Sequence, residues 1–179
     1  SAGIATLDPA YAKDLALIWG CSQIYNGLIQ LDTNLEVQPC IAKYWEISPD
    51  GKEYKFVLRD DIYFHKNELF NTPDSTRKVV AKDFIYSFQR ILDPDIASPG
   101  LWIFNNVAEN GFLAINDTTF IIRLKEPFSP FLSLLGMPYC SVVPHEVADH
   151  YGADFRNHPC GTGPFRLQLW KERIYSFRS

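Results

Sequence analysis

The sequence has no CxxC pair, no cluster of Lys or Arg, and no apolar run of membrane-spanning length. Each absence removes a class. Four cysteines occur, Cys21, Cys40, Cys140 and Cys160, and without CxxC spacing they give no support to a zinc ribbon or a thioredoxin-type motif. They allow three disulfide pairings, among which the spacing does not choose, and their plainest reading is as small buried hydrophobes. With a net charge of −4 and no basic patch, the chain lacks what displaces counterions from phosphates, so nucleic acid is not expected as a partner. No signal peptide is recognisable, and Ser1-Ala2-Gly3 reads as a trimmed or engineered start. No internal repeat or low-complexity tract is present.

What is present is apolar and aromatic. Hydrophobic residues make up 46% of 179, and the aromatics include 13 Phe, 9 Tyr and 4 Trp. That is enough for a packed core, with a surplus of rings that can line a cleft. The length suits one domain or two small ones.

Periodicity gives the elements. Thr6-Leu7-Asp8-Pro9 predicts a short strand ending in a turn. Residues 11–30 read as mostly helical, with Ala12, Leu15, Ala16 and Trp19 on one face and a break at Asn26-Gly27. Asp32 to Asn34 supply the turn of a strand-turn-strand over 31–40. Tyr44–Ile47 and Glu53–Arg59 form the clearest hairpin. Pro49-Asp50-Gly51 turns the chain, and Tyr54, Phe56 and Leu58 alternate with Lys55, Val57 and Arg59. Residues 66–78 are a polar loop. Val80, Phe84, Phe88 and Ile91 have helical spacing over 80–92, Asp83 sits in the first turn, and Asp93-Pro94 stops the helix. A second hairpin spans 112–125 around Asn116-Asp117. Short helices are expected over 128–137 and 144–151, then a strand over 165–170.

Sites are harder to find. Cys160-Gly161-Thr162-Gly163-Pro164-Phe165 carries two glycines one residue apart. A dinucleotide loop needs a third glycine and a helix, and a P-loop needs Gly-Lys-Ser/Thr. Neither follows, so a structural turn into a strand is the expectation. His145 and His150 are five apart and do not share a helical face as zinc ligands would. The pairs Asp60-Asp61 and Asp93/Asp95 are accounted for by turn chemistry, and so is the Asn116-Asp117-Thr118 sequon. No local signature supports a cysteine or histidine nucleophile.

The order of these motifs is informative as a set. Leu7-Asp8-Pro9 comes first, then Ile24-Tyr25-Asn26-Gly27-Leu28, and Ala42-Lys43-Tyr44-Trp45-Glu46-Ile47-Ser48-Pro49-Asp50-Gly51. Phe64-His65, Ala81-Lys82-Asp83-Phe84 and Leu92-Asp93-Pro94 follow, and Val143-Pro144 and Gly161-Thr162-Gly163-Pro164-Phe165 close the series. Nearly the whole chain resembles the N-terminal part of the family 5 extracytoplasmic solute-binding proteins, the oligopeptide and dipeptide receptors of ABC importers.

The resemblance implies an α/β fold: a type II periplasmic-binding-protein-like lobe, a mixed sheet carrying an inserted α+β subdomain. Residues 1–40 and 161–179 would belong to the first ligand-binding lobe and 41–160 to the insert. The chain would be an N-terminal fragment lacking the second lobe, with GTGPF returning beside the N-terminal strand. Also implied are a peptide or other small solute as ligand, an ABC permease of the inner membrane as partner, a monomer, and a periplasmic or lipid-anchored cell-surface location. No cofactor, metal or catalytic residue is expected. Leu7, Asp8, Pro9, Gly100, Leu101 and Trp102 are the expected ligand-binding residues; Gly100 stands where peptide-binding relatives place a ligand-contacting tyrosine, which makes peptide contact less secure there, and Trp102 would take over as the aromatic wall, while the competing reading makes Trp102 a core residue. Val80 stands where relatives have a capping Thr, so the start of that helix is expected either to depend on Ser75 or Thr76 or to fray. The same architecture binding nickel, haem or a sugar is the alternative function, and a hydrolase using His65 or Cys160 a more distant one.

Overall fold

In the computed structural model, residues 5–171 and 174–178 are described; the Ser1-Ala2-Gly3 start lies outside them. The elements are α1 (Leu15–Ile24), β1 (Ile29–Leu31), β2 (Val37–Pro39), β3 (Ala42–Ile47), β4 (Glu53–Leu58), α2 (Ala81–Leu92), β5 (Val107–Asn116) and β6 (Thr119–Leu124). The short helices α3 (Phe131–Leu134) and α4 (His145–Tyr151) follow, then β7 (Arg166–Lys171) and β8 (Ile174–Arg178).

Both expected hairpins form, and they join into one antiparallel sheet of order β3-β4-β6-β5. Gly51 adopts φ 69° at the first turn, the left-handed conformation that the turn requires of it. At the second, Asn116 Oδ1 accepts the Thr118 N–H at 2.9 Å. Period-2 alternation puts Tyr54, Phe56 and Leu58 on the buried face of the sheet. Helix α2 lies over that face: Phe84 and Phe88 each sit 5.8 Å, centroid to centroid, from Phe120, and Phe104 lies 4.7 Å from Phe88. Phenylalanine rings thus form the centre of this layer.

The start of α2 is not frayed and does not depend on Ser75 or Thr76. Val80 gives no side-chain cap, and Asp83 supplies it instead, accepting the Val80 N–H at 2.8 Å. Arg77 grips the same carboxylate through two bonds of 2.8 Å and also pairs with Glu146 at the start of α4. Burial opposes the Arg77 charge, but its two carboxylate partners outweigh it and hold the guanidinium well above its ordinary value. Thr76 is used elsewhere, donating to the Phe64 carbonyl at 2.6 Å.

Two expectations in the first forty residues need correction. Thr6 to Asp8 is extended but pairs with no strand among the described residues; a 3-10 turn at Pro9–Tyr11 follows it. The first helix begins four residues later than expected, at Leu15, because Asp14 Oδ1 caps the Leu17 N–H at 3.1 Å. Its buried face is Leu17, Gly20, Cys21 and Ile24, while Leu15 and Trp19 are 85% and 60% exposed. The run holds two apolar stripes of helical spacing, and the packed one is not the one periodicity suggested. The break at Asn26-Gly27 is where it was expected, but the chain beyond it is not helical: Ile29 and Gln30 open β1, which pairs with β2 in the strand-turn-strand.

The cysteines are all free. Cys21, Cys140 and Cys160 are buried, and burial pushes the Cys21 and Cys160 thiols up to about 12. Among the described residues no group of His, Cys, Asp or Glu is placed to hold a metal ion.

The two glycines of GTGPF answer to α1. Helix ends leave carbonyls without intrahelical partners. Gly163 N–H donates to the Ile24 carbonyl at 2.7 Å and Phe165 N–H to that of Gln23 at 3.1 Å. This closes the C-terminal end of the helix. A Cβ on Gly161 would stand 2.1 Å from the Ile24 oxygen, and one on Gly163 2.6 Å from the Gln23 oxygen. Carbonyl oxygens therefore face the motif, the wrong polarity for a phosphate. The loop lies beside residues 23–26 rather than beside Thr6–Pro9, and β7 pairs with β8; that corrects the expected neighbour of the returning chain. Gly161→Ala should cost about 1–3 kcal/mol or more, since a backbone atom must move. Urea unfolding of the variant measures this, and Gly161→Ala at wild-type stability would contradict the close approach.

Candidate functional site

Two segments distant in sequence meet on one side of the molecule. The first is Thr6–Tyr11. Thr6 Oγ1 accepts the Asp8 N–H and Asp8 Oδ1 accepts the Ala10 N–H, both at 3.0 Å, so short polar side chains shape the backbone ahead of the 3-10 turn. Leu7 N–H donates to the Arg156 carbonyl at 2.9 Å. The Asp8 carboxylate, 3% exposed, takes a bidentate contact from Arg90 of α2, at 2.7 and 3.2 Å. The Arg90 guanidinium also lies 5.3 Å from the Phe155 ring centre. Burial opposes its charge, and the Asp8 bonds and field overcome that, so Arg90 is held above its ordinary value.

The second segment is the loop after Asp93-Pro94. Ala97 has φ 50°, a left-handed conformation that costs a residue with a Cβ about 1–2 kcal/mol. Next to it, the buried Ser98 hydroxyl donates to the Ala10 carbonyl at 2.6 Å and accepts the Gly100 N–H at 3.1 Å. Gly100 lies flat on Tyr139; a Cβ there would meet the ring at 2.6 Å. A 3-10 turn, Leu101–Phe104, follows. It sends Ile103 and Phe104 into the core and leaves Leu101 and Trp102 outside, 38% and 48% exposed.

The expected site residues therefore separate by role. Leu7, Asp8, Pro9 and Gly100 are buried beside the Ser98–Ala10 bond that joins the two segments; of the six, only Leu101 and Trp102 offer side chains to solvent. Trp102 is not a core residue. Between the segments lies a cleft of about 520 Å³ whose walls include Thr6, Tyr11, Lys13, Ala97, Pro99 and Arg156. Tyr11, Lys13 and Arg156 were missed from sequence. The first two adjoin the Leu-Asp-Pro motif and could have been reached by extending it; Arg156 is placed by folding alone.

The antiparallel four-stranded layer and the return crossing capped onto α1 form part of a lobe of the type II periplasmic-binding-protein class, the fold of the solved structures that the chain matches. The chain belongs to the bacterial extracellular solute-binding proteins, family 5, whose "Middle" profile matches residues 36–176. It is 29% identical over 167 residues to the glutathione-binding protein GsiB of Salmonella typhi, covering 93% of this chain and 30% of that protein. Among solved structures it resembles the ABC transporter-associated periplasmic binding protein DppA from Helicobacter pylori in complex with the peptide STSA. That match has a TM-score of 0.83 and 31% identity, over 96% of this chain and 36% of that one. HbpA2 from Haemophilus parasuis is similar at TM-score 0.80 and 30% identity, over 97% and 37%. The chain thus spans about a third of the length of the relatives it matches.

Ser98→Ala removes the only donor that Ser98 directs at the buried Ala10 carbonyl. It should lower stability by about 1–3 kcal/mol. Ala97→Gly, which relieves the left-handed Cβ, should raise stability by about 1 kcal/mol. Chemical denaturation of both variants checks the pair of opposite signs.

Proposed function

We propose that this chain is the first jaw of an extracytoplasmic receptor that captures peptides for import through an ABC transporter. Membership of family 5 supports this, and so does likeness to DppA, a relative solved with a bound peptide. The single observation that carries it on this chain is the half-exposed Leu101-Trp102 pair, which follows directly on Ser98, bonded to Ala10, and Gly100, packed on Tyr139.

In this reading residues 1–40 and 161–179 belong to the ligand-binding lobe and 41–160 form the insert. Leu101 and Trp102 touch the cargo, and Leu7, Asp8, Pro9 and Gly100 support them from below. Extended peptides bind through backbone hydrogen bonds, with side chains in roomy, wet pockets. A second lobe closes over them by a hinge, and the transporter's inner-membrane permease reads the closed form. The receptor works as a monomer, outside the cytoplasm, in the periplasm or lipid-anchored at the cell surface. It needs no nucleophile, because its task is capture and release.

One jaw buries only part of a ligand, and affinity depends on burial from both sides. This chain alone should therefore bind a mixed peptide library weakly or not at all by calorimetry. Joined to its second lobe, the protein should bind, and Trp102→Ala should weaken it roughly tenfold. Micromolar or tighter binding by this chain alone would refute the half-cleft reading, and unchanged affinity in Trp102→Ala would remove the rim from the site.

A further inference from the structure

We propose that Asn110 is a site of spontaneous covalent modification: it cyclises with Gly111 and is converted by water to aspartate and isoaspartate, while the chain's other Asn-Gly pair, Asn26-Gly27, is protected by its packing. The backbone explains why this dipeptide stands here. Where β5 pairs with β6, Val107 faces Leu124 and Phe112 faces Ile122, so residues 108–111 are set against Arg123 alone. Such a bulge bends the strand and takes unusual backbone angles. Asn110 has φ 53°, a left-handed conformation that asparagine tolerates better than most residues with a Cβ. A Cβ on Gly111 would stand 2.6 Å from the Arg123 oxygen and 2.8 Å from that of Ala108, so glycine is required. The fold therefore asks for Asn-Gly here, on an edge strand of the sheet.

The chemistry follows from what glycine lacks. With no Cβ after the asparagine, the main chain reaches the asparagine side chain with least obstruction. The Gly111 amide nitrogen gives its proton to hydroxide and attacks Asn110 Cγ. A new N–Cγ bond closes a cyclic imide. The side-chain nitrogen departs as ammonia, taking a proton from water and returning the hydroxide. A second water then opens the ring. Opening at Cγ leaves an aspartate in an ordinary backbone. Opening at the main-chain carbonyl carbon leaves isoaspartate, with the chain routed through the side chain. Water is the only reactant consumed, and nothing is oxidised or reduced.

In a folded chain the step needs a loose side chain and a backbone that can turn. Asn110 is exposed, and its side-chain amide makes no hydrogen bond among the described residues. Gly111 is buried under the neighbouring strand, so its nitrogen comes into line only when the bulge opens. Residues 108–111 lie outside the register, and their opening leaves the pairs of Val107 and Phe112 in place. Asn26 is the opposite case. Its Nδ2 donates to Thr162 Oγ1 at 3.2 Å, and its carbonyl accepts the Val142 N–H at 2.9 Å. The Gly27 carbonyl accepts the Ile41 N–H at 3.2 Å. Cyclisation there has to disturb contacts with Thr162, Val142 and Ile41 together. At Asn110 the product only adds a carboxylate beside Glu109, on the exposed side of the bulge.

The test uses the 179-residue chain, held folded at mildly alkaline pH and sampled over time by peptide mapping with mass spectrometry and enzymatic isoaspartate labelling. Asn110 should convert at least about tenfold faster than Asn26, because only the second reaction waits on the opening of long-range contacts. In urea, where packing is gone, the two pairs should react at similar rates. Asn110→Gly accepts the left-handed backbone and has no amide to lose, so it should remove most of the isoaspartate that the folded chain forms. Equal conversion at the two pairs in the folded chain, conversion at Asn26 first, no conversion at Asn110 until urea is added, or an isoaspartate yield unchanged in Asn110→Gly would each overturn the proposal. If the variant does not fold, the comparison of the two pairs in the wild-type chain decides the matter.

Discussion

The pairing of Asp8 with Arg90 is the contact on which the arrangement rests. A carboxylate 3% exposed is costly to bury alone, and it lies here because a guanidinium meets both of its oxygens. One partner stands just before the first turn of the chain and the other near the end of α2, so the bond ties the N-terminal segment to the layer of the second hairpin. Around it, Leu7 bonds to Arg156, Ser98 to Ala10 and Val142 to Asn26. The buried apolar residues form one cluster running from Leu7 through Phe88 and Phe120 to Cys160. The consequence is that the aromatic rim is not carried on a loosely hung insert. Its position relative to the N-terminal segment is set by buried polar bonds whose loss leaves unpaired groups.

Much of this was legible in the sequence, and the reasons differ from place to place. The two hairpins announced themselves because alternation, Pro-Asp-Gly and Asn-Asp are local signals with local causes. Helix α2 did so through the spacing of its phenylalanines. The first helix was misjudged because Leu15, Ala16 and Trp19 make as good a stripe as Leu17, Cys21 and Ile24, and only packing chooses between them. Its start was misplaced because Asp14 sits in a stretch that periodicity alone reads as helix. The glycine pair was readable as a turn, but its partners, the carbonyls of Gln23 and Ile24, lie far back in the chain. Long-range partners of this kind leave no periodic trace.

The site shows the same division. Leu101 and Trp102 came from a resemblance, not from any property visible in their own stretch, and their exposure distinguishes them from the buried Leu7, Asp8, Pro9 and Gly100. The cations Lys13 and Arg156 give the neighbouring cleft a positive wall that no motif marked. With Asp14 beside Lys13, that wall is mixed rather than strongly basic.

The most direct check of a shared body is a double-mutant cycle on Asp8→Ala and Arg90→Ala, followed by urea unfolding. Each single change should cost about 3–5 kcal/mol by stranding a buried charge, and the double variant should lose much less than the sum. Losses that simply add would show that the two residues do not lean on each other, and the claim that the N-terminal segment and α2 are locked together would fall.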